Sequence, residues 1–335
     1  MKRVEWIDAA RGLGILSVVY GHALGNAFDG ALYTFHIPLF FLLSGFVYHP
    51  SGTLKGYAVH RARQLLVPYA FWLTLISIPG FALAVREHHL PRSIVTWAFG
   101  GILLGGQTGP MWFATVLYLA LVLYDALRKH APGSVLPIVV GAYVVVVLRG
   151  LFLPTWSFVW DADVALFALP FLHLGAVARE RGWTERKPLL VGLAAAFVGY
   201  VVLSAMGIHE SNVDLKQSDF GWPVANVAIA LGGTALWVLL AQHAGPLTKP
   251  LAYAGKASLL VMFLHFAVLV LCGRLGLYDG RLAFVAAVGV PLALYPIFQR
   301  FRPTRIVLLG EVGSGRPKSP EEPRLAESHT TAPAA

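Results

Sequence analysis

The chain has 335 residues, of which 57% are hydrophobic and only 13% are charged, and its mean hydropathy is +0.66. Soluble globular proteins carry about 25% charged residues, so this composition excludes that class and indicates an integral membrane protein. The net charge of +9 does not indicate a nucleic-acid partner, because the basic residues are scattered between apolar segments, as charges that orient membrane helices are. The single cysteine, Cys272, excludes an intramolecular disulfide framework.

The first apolar stretch carries several ionisable side chains. Arg11 and His22 are separated by ten residues, so on one helix they share a face and lie about three turns, or about 16 Å, apart. Asp8 lies one turn before Arg11, and Asn26 lies one turn after His22. Ionisable groups inside a membrane helix are costly and by default mark a function. The pattern predicts a functional polar stripe, and it argues against a cleaved signal peptide, which needs an uninterrupted apolar core.

Further apolar segments follow along the chain. Several are shorter than the roughly 20 residues that span a bilayer comfortably, so we expect their helices to extend into the flanks. The weakest segment is 93–104, which is short, contains two glycines and is typical of an interfacial or re-entrant piece. The segments are 12–28, 34–48, 68–85, 93–104, 111–127, 135–149, 161–178, 188–206, 224–241, 256–271 and 281–298.

The distribution of basic residues tests whether 93–104 crosses the membrane. If it does not, ten helices cross, both termini lie on one side, and only six of the 26 Lys and Arg residues lie on the other side. Such an excess marks the cytoplasmic face. We therefore predict an all-α, polytopic integral membrane bundle of about ten transmembrane helices with both termini cytoplasmic. The six residues on the outer side are Arg86, Arg92, Arg149, Lys216, Arg274 and Arg281.

The end of the chain differs in composition from the rest. Residues 310–335 are rich in Pro, Ser, Glu and Ala and contain almost no large apolar residues, which is typical of a disordered segment. We predict one membrane domain over 1–309, located in the cell (cytoplasmic) membrane, and a disordered cytoplasmic tail over 310–335.

Several motifs together resemble a known family. The opening WIDAARGLGILSVVYGHA is followed by FHIPLFFLLSGFVY and, after the first hairpin, by RARQLLVPYAFW. The motifs GPMWFATVLY (109–118), DVALFALPFLHLGAV (163–177) and AYAGKASLLVMFLHF (252–266) come next, in matching order. Over residues 1–300 the chain resembles the membrane acyltransferase 3 family, which includes O-acyltransferases of sugars, peptidoglycan and antibiotics. The last motif is similar to the fucose 4-O-acetylase-like branch.

The resemblance implies ten transmembrane helices, an acyl-CoA donor, most simply acetyl-CoA, and transfer to a hydroxyl, usually on a carbohydrate. It implies no metal and no permanently bound cofactor, since acyl-CoA is a co-substrate. We expect acyl-CoA, a carbohydrate or glycoconjugate acceptor and the lipid bilayer as partners, and no nucleic acid.

Two histidines suit the chemistry of acyl transfer. Moving an acyl group from a thioester to an alcohol needs a base for the hydroxyl proton and stabilisation of the tetrahedral oxyanion. His22 fits the first role, because a neutral imidazole accepts a proton near pH 7. His36 opens the second helix, so the hairpin brings it near the outer half of the first, where it fits a second acid or base or an oxyanion donor. The alternative for each is a hydrogen-bonded packing histidine.

Three arginines suit the phosphates of the donor. Arg11 lies toward the predicted cytoplasmic end of the first helix, and a planar guanidinium matches phosphate oxygens. Arg61 and Arg63 lie on the same side, within HRARQLLVPY, and are candidates for the nucleotide end of CoA. The alternative is ordinary positive-inside charge, with Arg11 paired to Asp8.

Other polar residues are candidates for contact with substrate. His265 lies seven residues after Ser258 and on the same helix face, where the two line an acceptor cavity or bond to neighbouring helices. Trp112 and Asp163 suit a sugar through ring stacking and carboxylate hydrogen bonds, although Trp is common at membrane interfaces. The predicted catalytic residues are His22, His36 and Arg11, the predicted substrate-binding residues are Asp8, Asn26, Trp112, Asp163 and His265, and no metal site is predicted.

These patterns favour an integral-membrane O-acyltransferase. Acyl-CoA enters from the cytoplasm, His22 activates the acceptor hydroxyl, and Arg11 anchors or polarises the donor. The alternative is a transporter or flippase for a polar lipid-linked sugar, in which intramembrane His and Arg line a translocation path. Such transporters contain internal repeats, and none is evident in the sequence. A membrane scaffold explains the apolar segments but not the polar stripe.

Overall fold

The computed structural model describes residues 5–25, 29–50, 52–153, 158–206, 215–217, 223–277 and 279–312, and within these ranges the regular secondary structure is entirely helical. Apolar segments fold this way in a membrane because a helix satisfies its own backbone donors and acceptors where no water is present. The α-helices are α1 (Glu5–Leu24), α2 (Asp29–Phe46), α3 (Leu54–Arg86), α4 (Leu90–Phe99), α5 (Trp112–His130), α6 (Val135–Phe152), α7 (Ala162–Glu180), α8 (Lys187–Ala205), α9 (Pro223–Gln242), α10 (Thr248–Lys256), α11 (Ser258–Arg274), α12 (Gly280–Gln299) and α13 (Arg302–Leu309).

Many of these helices are long and apolar enough to cross a bilayer. In the described part of the chain, seven qualify by length and composition: α3, α5, α6, α7, α8, α9 and α12, three of them together with a preceding 3₁₀ turn. The helices α10 and α11 meet at a bend of 74°, and they make an eighth if they form one broken span. The prediction of a polytopic membrane bundle is therefore confirmed.

The predicted total of ten depends on α1 and α2. The first carries Glu5, Asp8 and Arg11, and the apolar part of the second, Leu32–Phe46, is short. If both cross, they bring the eight to ten, and this number and the side of each terminus stay predictions. The segment 93–104 falls largely in α4, which has 10 residues. A helix of that length reaches about 15 Å, half of a hydrocarbon core, so α4 does not span.

The packed part of the chain continues slightly beyond the predicted domain boundary at 309. The helix α13 packs against α3, where the indole Nε1 of Trp72 donates to the Leu308 carbonyl at 3.0 Å. Glu311 accepts hydrogen bonds from the Tyr295 hydroxyl at 2.6 Å and from the Gln299 amide at 2.9 Å. Residues 313–335, most of the predicted disordered tail, lie outside the described part of the chain.

The helix α1 lies at the centre of the bundle, where α2, α9, α10, α11 and α12 all pack against it. Its contact with α10 is a backbone contact. A Cβ atom at Gly12 would overlap the Leu251 backbone, and one at Gly255 would overlap the backbone of Asp8. Small residues allow membrane helices to approach this closely. The polar stripe of α1 therefore faces protein rather than lipid.

Candidate active site

The ring of His22, near the end of α1, lies among aromatic rings from two other helices. Its centroid is 5.3 Å from that of His265 and 5.2 Å from that of Phe266, both in nearly perpendicular arrangements. The ring centroid of Tyr33, on α2, lies 5.9 Å from that of His22. The structure thus places His265, which the sequence assigned to an acceptor cavity, directly beside the predicted catalytic base.

The second predicted histidine, His36, belongs to the same group. Its ring centroid lies 5.2 Å from that of Tyr33, which also contacts His22. The hairpin of α1 and α2 brings these side chains together, as the sequence predicted. The side chain of His36 is buried, and its Nδ1 has no hydrogen-bond partner among the described residues. We call His22, His36 and His265 the histidine cluster.

His265 has a defined orientation within this cluster. It is fully buried, and its Nδ1 lies 2.8 Å from the Val261 carbonyl of the preceding turn. A carbonyl only accepts, so Nδ1 carries the proton, and in the neutral ring Nε2 is left as an acceptor. This Nε2 is buried and has no hydrogen-bond partner in the described part of the chain. A buried polar atom without a partner costs free energy, which makes the cluster a candidate for binding a hydroxyl.

A cavity of about 220 Å³ lies three turns away along α1. It is lined by three cationic side chains from three helices, Arg11 of α1, Arg61 of α3 and Lys256 at the end of α10. The bend between α10 and α11 also brings Ser258, the first residue of α11, to its wall. Three cations and a helix N-terminus create a positive potential that suits a phosphate-bearing ligand. We call this the basic cavity.

Two helices connect the basic cavity to the histidine cluster. On α1, Arg11 lines the cavity and His22 joins the cluster. On α11, Met262 lines the cavity, and His265 follows it by one turn. His22 itself does not line the basic cavity, so a common chamber for Arg11 and His22 stays a prediction.

Of the three arginines predicted to bind the donor, two line the basic cavity and one does not. Arg11 lies 3.6 Å from the buried carboxylate of Asp8, so Asp8 is placed to orient Arg11. Arg61 donates to the Gln64 side chain at 2.8 Å and faces the basic cavity. Arg63 is exposed and does not line it. Residues two apart on a helix point in very different directions, which explains why only one of this pair reaches the cavity.

The remaining predicted substrate residues lie elsewhere. Trp112 is buried at the start of α5, beside the ring of Phe113. Asp163 is buried in an ion pair with Arg149 at 3.1 Å. Neither lines the basic cavity or contacts a ring of the histidine cluster. Asn26 lies outside the described residues.

Sequence reasoning missed two parts of the site. Lys256 was assigned only to the inside-positive charge, and the break of the chain between Lys256 and Ser258 was not predicted. Tyr33, whose ring contacts both His22 and His36, was not singled out at all, and it lies just before the predicted segment 34–48. Among the described residues no three His, Cys, Asp or Glu side chains are arranged to hold a metal ion.

The sequence matches a family model over most of its length and two known proteins over a smaller part of it. A family model described as an acyltransferase domain, of the acyltransferase 3 type, matches residues 4–298. The nodulation protein NolL of Mesorhizobium japonicum is 27% identical over 135 residues, 36% of this chain and 35% of that protein. NolL of Sinorhizobium fredii is 34% identical over 92 residues, 22% of this chain and 25% of that protein.

The chain therefore matches about a third or less of the length of these two relatives. No solved structure matches it. The family model covers nearly the whole membrane bundle, including the helices that carry the basic cavity and the histidine cluster. The protein belongs to the acyltransferase 3 family.

Proposed function

We propose that this protein is an integral-membrane O-acyltransferase that moves an acyl group, most simply acetyl, from acyl-CoA to a hydroxyl of a carbohydrate or glycoconjugate. The observation that carries the proposal is the pairing of a buried histidine cluster with a basic cavity on the same two helices. The histidine cluster can transfer protons and the basic cavity can bind phosphate groups. Acyl transfer from acyl-CoA needs both.

In the proposed reaction His22 is the general base. The unprotonated nitrogen of its neutral ring takes the proton of the acceptor hydroxyl while the hydroxyl oxygen attacks the thioester carbonyl. The tetrahedral intermediate then collapses, the carbon–sulfur bond breaks, and the CoA thiolate leaves and takes the proton back from the His22 imidazolium. We assign to His36 the role of a second acid or base or of a donor to the oxyanion, and to His265, whose ring packs against that of His22, the positioning of the His22 ring.

The basic cavity is the proposed site of the CoA phosphates. Arg11, oriented by Asp8, and Arg61 supply guanidinium groups, and Lys256 supplies an ammonium group. The pantetheine arm of CoA separates its thioester from its phosphates. A separation of about 16 Å along α1 between Arg11 and His22 therefore suits a donor that is held at one end and reacts at the other.

The proposal is tested by replacing the base. We expect His22→Ala to lower acyl transfer by about 10²–10⁴-fold, because general-base catalysis contributes about that much, while the protein still inserts into the membrane. The measurement is release of CoA from acetyl-CoA by purified protein, together with the acetyl content of surface glycans by mass spectrometry. His243→Ala, which alters an exposed histidine after α9, is the matched control.

Near-normal CoA release by His22→Ala would remove the mechanism. Movement of a lipid-linked sugar across vesicles without any CoA release would instead favour the transporter alternative.

A further inference from the structure

A second polar cavity lies at the other end of α11. Its volume is about 580 Å³, and it is enclosed by the second half of α3, by α4, by residues 104–108 and by the end of α11. Arg92 of α4 and Arg274 of α11 both line it. The sequence places both arginines on the outer side of the membrane, opposite the basic cavity. We call this the outer cavity.

The two arginines of the outer cavity have no acidic partner among the described residues. Neither Arg92 nor Arg274 forms an ion pair there, whereas Arg149, another arginine of the predicted outer side, is paired with Asp163 at 3.1 Å. Both guanidinium groups are exposed at the cavity. A guanidinium binds phosphate or carboxylate oxygens through two parallel hydrogen bonds, so two of them beside one cavity indicate an anionic ligand.

The rest of the lining suits a carbohydrate. Hydroxyl and amide side chains supply donors and acceptors for sugar hydroxyls, and the indole of Trp97 supplies a flat apolar face. The Nε1 of Trp97 is buried and has no hydrogen-bond partner among the residues that the structure describes. The wall of the cavity thus holds a donor that the described protein leaves unused. The hydroxyl and amide groups are those of Ser77, Ser93, Thr96, Gln107 and Thr108.

The wall of the outer cavity that residues 104–108 form is held by hydrogen bonds to Ile102 and Leu104 from other parts of the chain. The Ile102 amide donates to the carboxylate of Asp161 at 2.7 Å. The ammonium group of Lys216 donates to the carbonyl of Leu104, which itself lines the cavity. A wall held in place before binding reduces the entropy that a ligand must lose.

The order of sites along α11 connects the outer cavity to the proposed chemistry. Ser258 and Met262 line the basic cavity, His265 belongs to the histidine cluster, and Val270 and Arg274 line the outer cavity. Arg274 lies nine residues beyond His265, which is about 14 Å along the helix and half a turn around it. Along the axis of α11, the cluster therefore lies between a cavity suited to the donor and a cavity suited to a second ligand.

We propose that the outer cavity binds the acceptor and that the acceptor is an anionic carbohydrate, whose phosphate or carboxylate is held by Arg92 and Arg274. This inference rests on the proposed acyltransferase function, and it names the substrate class. The polar side chains of the cavity bind the sugar hydroxyls, and the hydroxyl to be acylated extends toward His22.

The test is direct binding, which needs no turnover. The full-length protein is placed in nanodiscs of phosphatidylcholine, and the binding of radiolabelled glucose 1-phosphate, glucuronate and glucose is measured at equilibrium. We expect the two anionic sugars to bind at least about tenfold more tightly than glucose. The reason is that a hydrogen bond to a charged group contributes at least the binding free energy that corresponds to a tenfold change in affinity. Equal binding of all three sugars, or of none, overturns the proposal.

Variants locate the binding. The double variant Arg92→Gln with Arg274→Gln should lose at least about tenfold in affinity for glucose 1-phosphate, and Arg92→Lys with Arg274→Lys should recover part of it. The matched control, Arg86→Gln with Arg281→Gln, removes two exposed outer arginines that do not line the cavity and should bind as the unchanged protein does. Size-exclusion chromatography and melting temperature check that each variant is folded. Unchanged affinity in the first variant overturns the proposal.

A lipid headgroup carries the same phosphate group, so a further binding measurement distinguishes an anionic sugar from an anionic lipid. Nanodiscs of equal parts phosphatidylcholine and phosphatidylglycerol should leave the binding of glucose 1-phosphate largely intact. Its complete loss there identifies the cavity as a phospholipid site and overturns the proposal. Because binding is measured without acyl-CoA, failure here is distinct from failure of the acyltransferase function, which only the CoA-release assay of His22→Ala reports.

Discussion

His265 illustrates what spacing shows at the level of single residues and what it does not. Its position seven residues after Ser258 predicts a shared helix face. In the structure Ser258 lines the basic cavity, and His265 lies two turns further along α11 in the histidine cluster. Which neighbouring helix that face meets depends on packing between segments that are more than 200 residues apart along the chain, and no local pattern encodes it. The contact with His22 was therefore not predicted.

We expect His265→Phe to lower kcat about 10–100-fold with little change in the KM for acyl-CoA. The phenyl ring keeps a flat aromatic group at this position but has no nitrogen to bond the Val261 carbonyl, so the ring that packs against His22 loses its fixed orientation. Steady-state kinetics of purified protein measure both constants. His173→Phe on α7, whose histidine bonds the Tyr124 hydroxyl outside the cluster, is the control. An unchanged kcat in His265→Phe would remove this histidine from the site.

The arginines allow a sharper test of the basic cavity. We expect Arg61→Gln and Lys256→Gln each to raise the KM for acyl-CoA about tenfold, because each removes a charge-assisted hydrogen bond to phosphate, and to change kcat little. Arg63→Gln lies two residues from Arg61 on the same helix but outside the cavity, so its KM should stay within about twofold of the unchanged protein. If Arg63→Gln has the larger effect, the donor binds elsewhere.

At the scale of elements, the break between α10 and α11 has the largest effect on the site. The sequence predicts one apolar segment over 256–271, and α11 corresponds to it, but the preceding helix α10 was not predicted. Its nine residues include Thr248, Lys249 and Lys256, so it lacks the apolar run that identifies a membrane segment. The bend of 74° between the two helices places Lys256 and the start of α11 at the basic cavity.

The contact of α10 with α1 provides a prediction for stability. We expect Gly12→Ala to lower the melting temperature of the purified protein clearly, because the added methyl group overlaps the Leu251 backbone and overpacking of this kind costs about 1–3 kcal/mol. Gly199→Ala on α8 is the control, since no neighbouring atom lies within 4 Å of a Cβ built there, and alanine favours the helix by about 0.5–1 kcal/mol. Equal melting temperatures for the two variants would contradict the close approach.

At the scale of the whole molecule, composition and charge were sufficient to predict the class. A mean hydropathy of +0.66 with few charges is incompatible with a water-soluble fold, and the seven to eight apolar helices found among the described residues agree with that class. The basic residues predict orientation, but several also have structural partners. Lys129 pairs with the buried carboxylate of Asp125 at 2.5 Å, and the same carboxylate accepts from the Tyr48 hydroxyl at 2.7 Å. Counting the basic residues along the sequence does not show which of them form ion pairs of this kind.

The predicted orientation is tested by labelling with cysteine. In a Cys272→Ser background, Glu87→Cys, after α3, should react with a membrane-impermeant maleimide in intact cells. His130→Cys, at the end of α5, should react only after the membrane is permeabilised, because the charge distribution places it inside. Labelling of both positions in intact cells, or the reverse pattern, would contradict an even number of spans with cytoplasmic termini.

The central place of α1 has a consequence for biogenesis. This helix is translated before α2 to α13, whereas four of the five helices that enclose it, α9 to α12, come late in the chain. Until α9 to α12 are made, they cannot cover the aspartate, arginine and histidine of α1, and such groups are costly in a bilayer. Nascent chains that stop before α9 therefore lack four of the five helices that cover α1, and we expect membrane quality control to remove them.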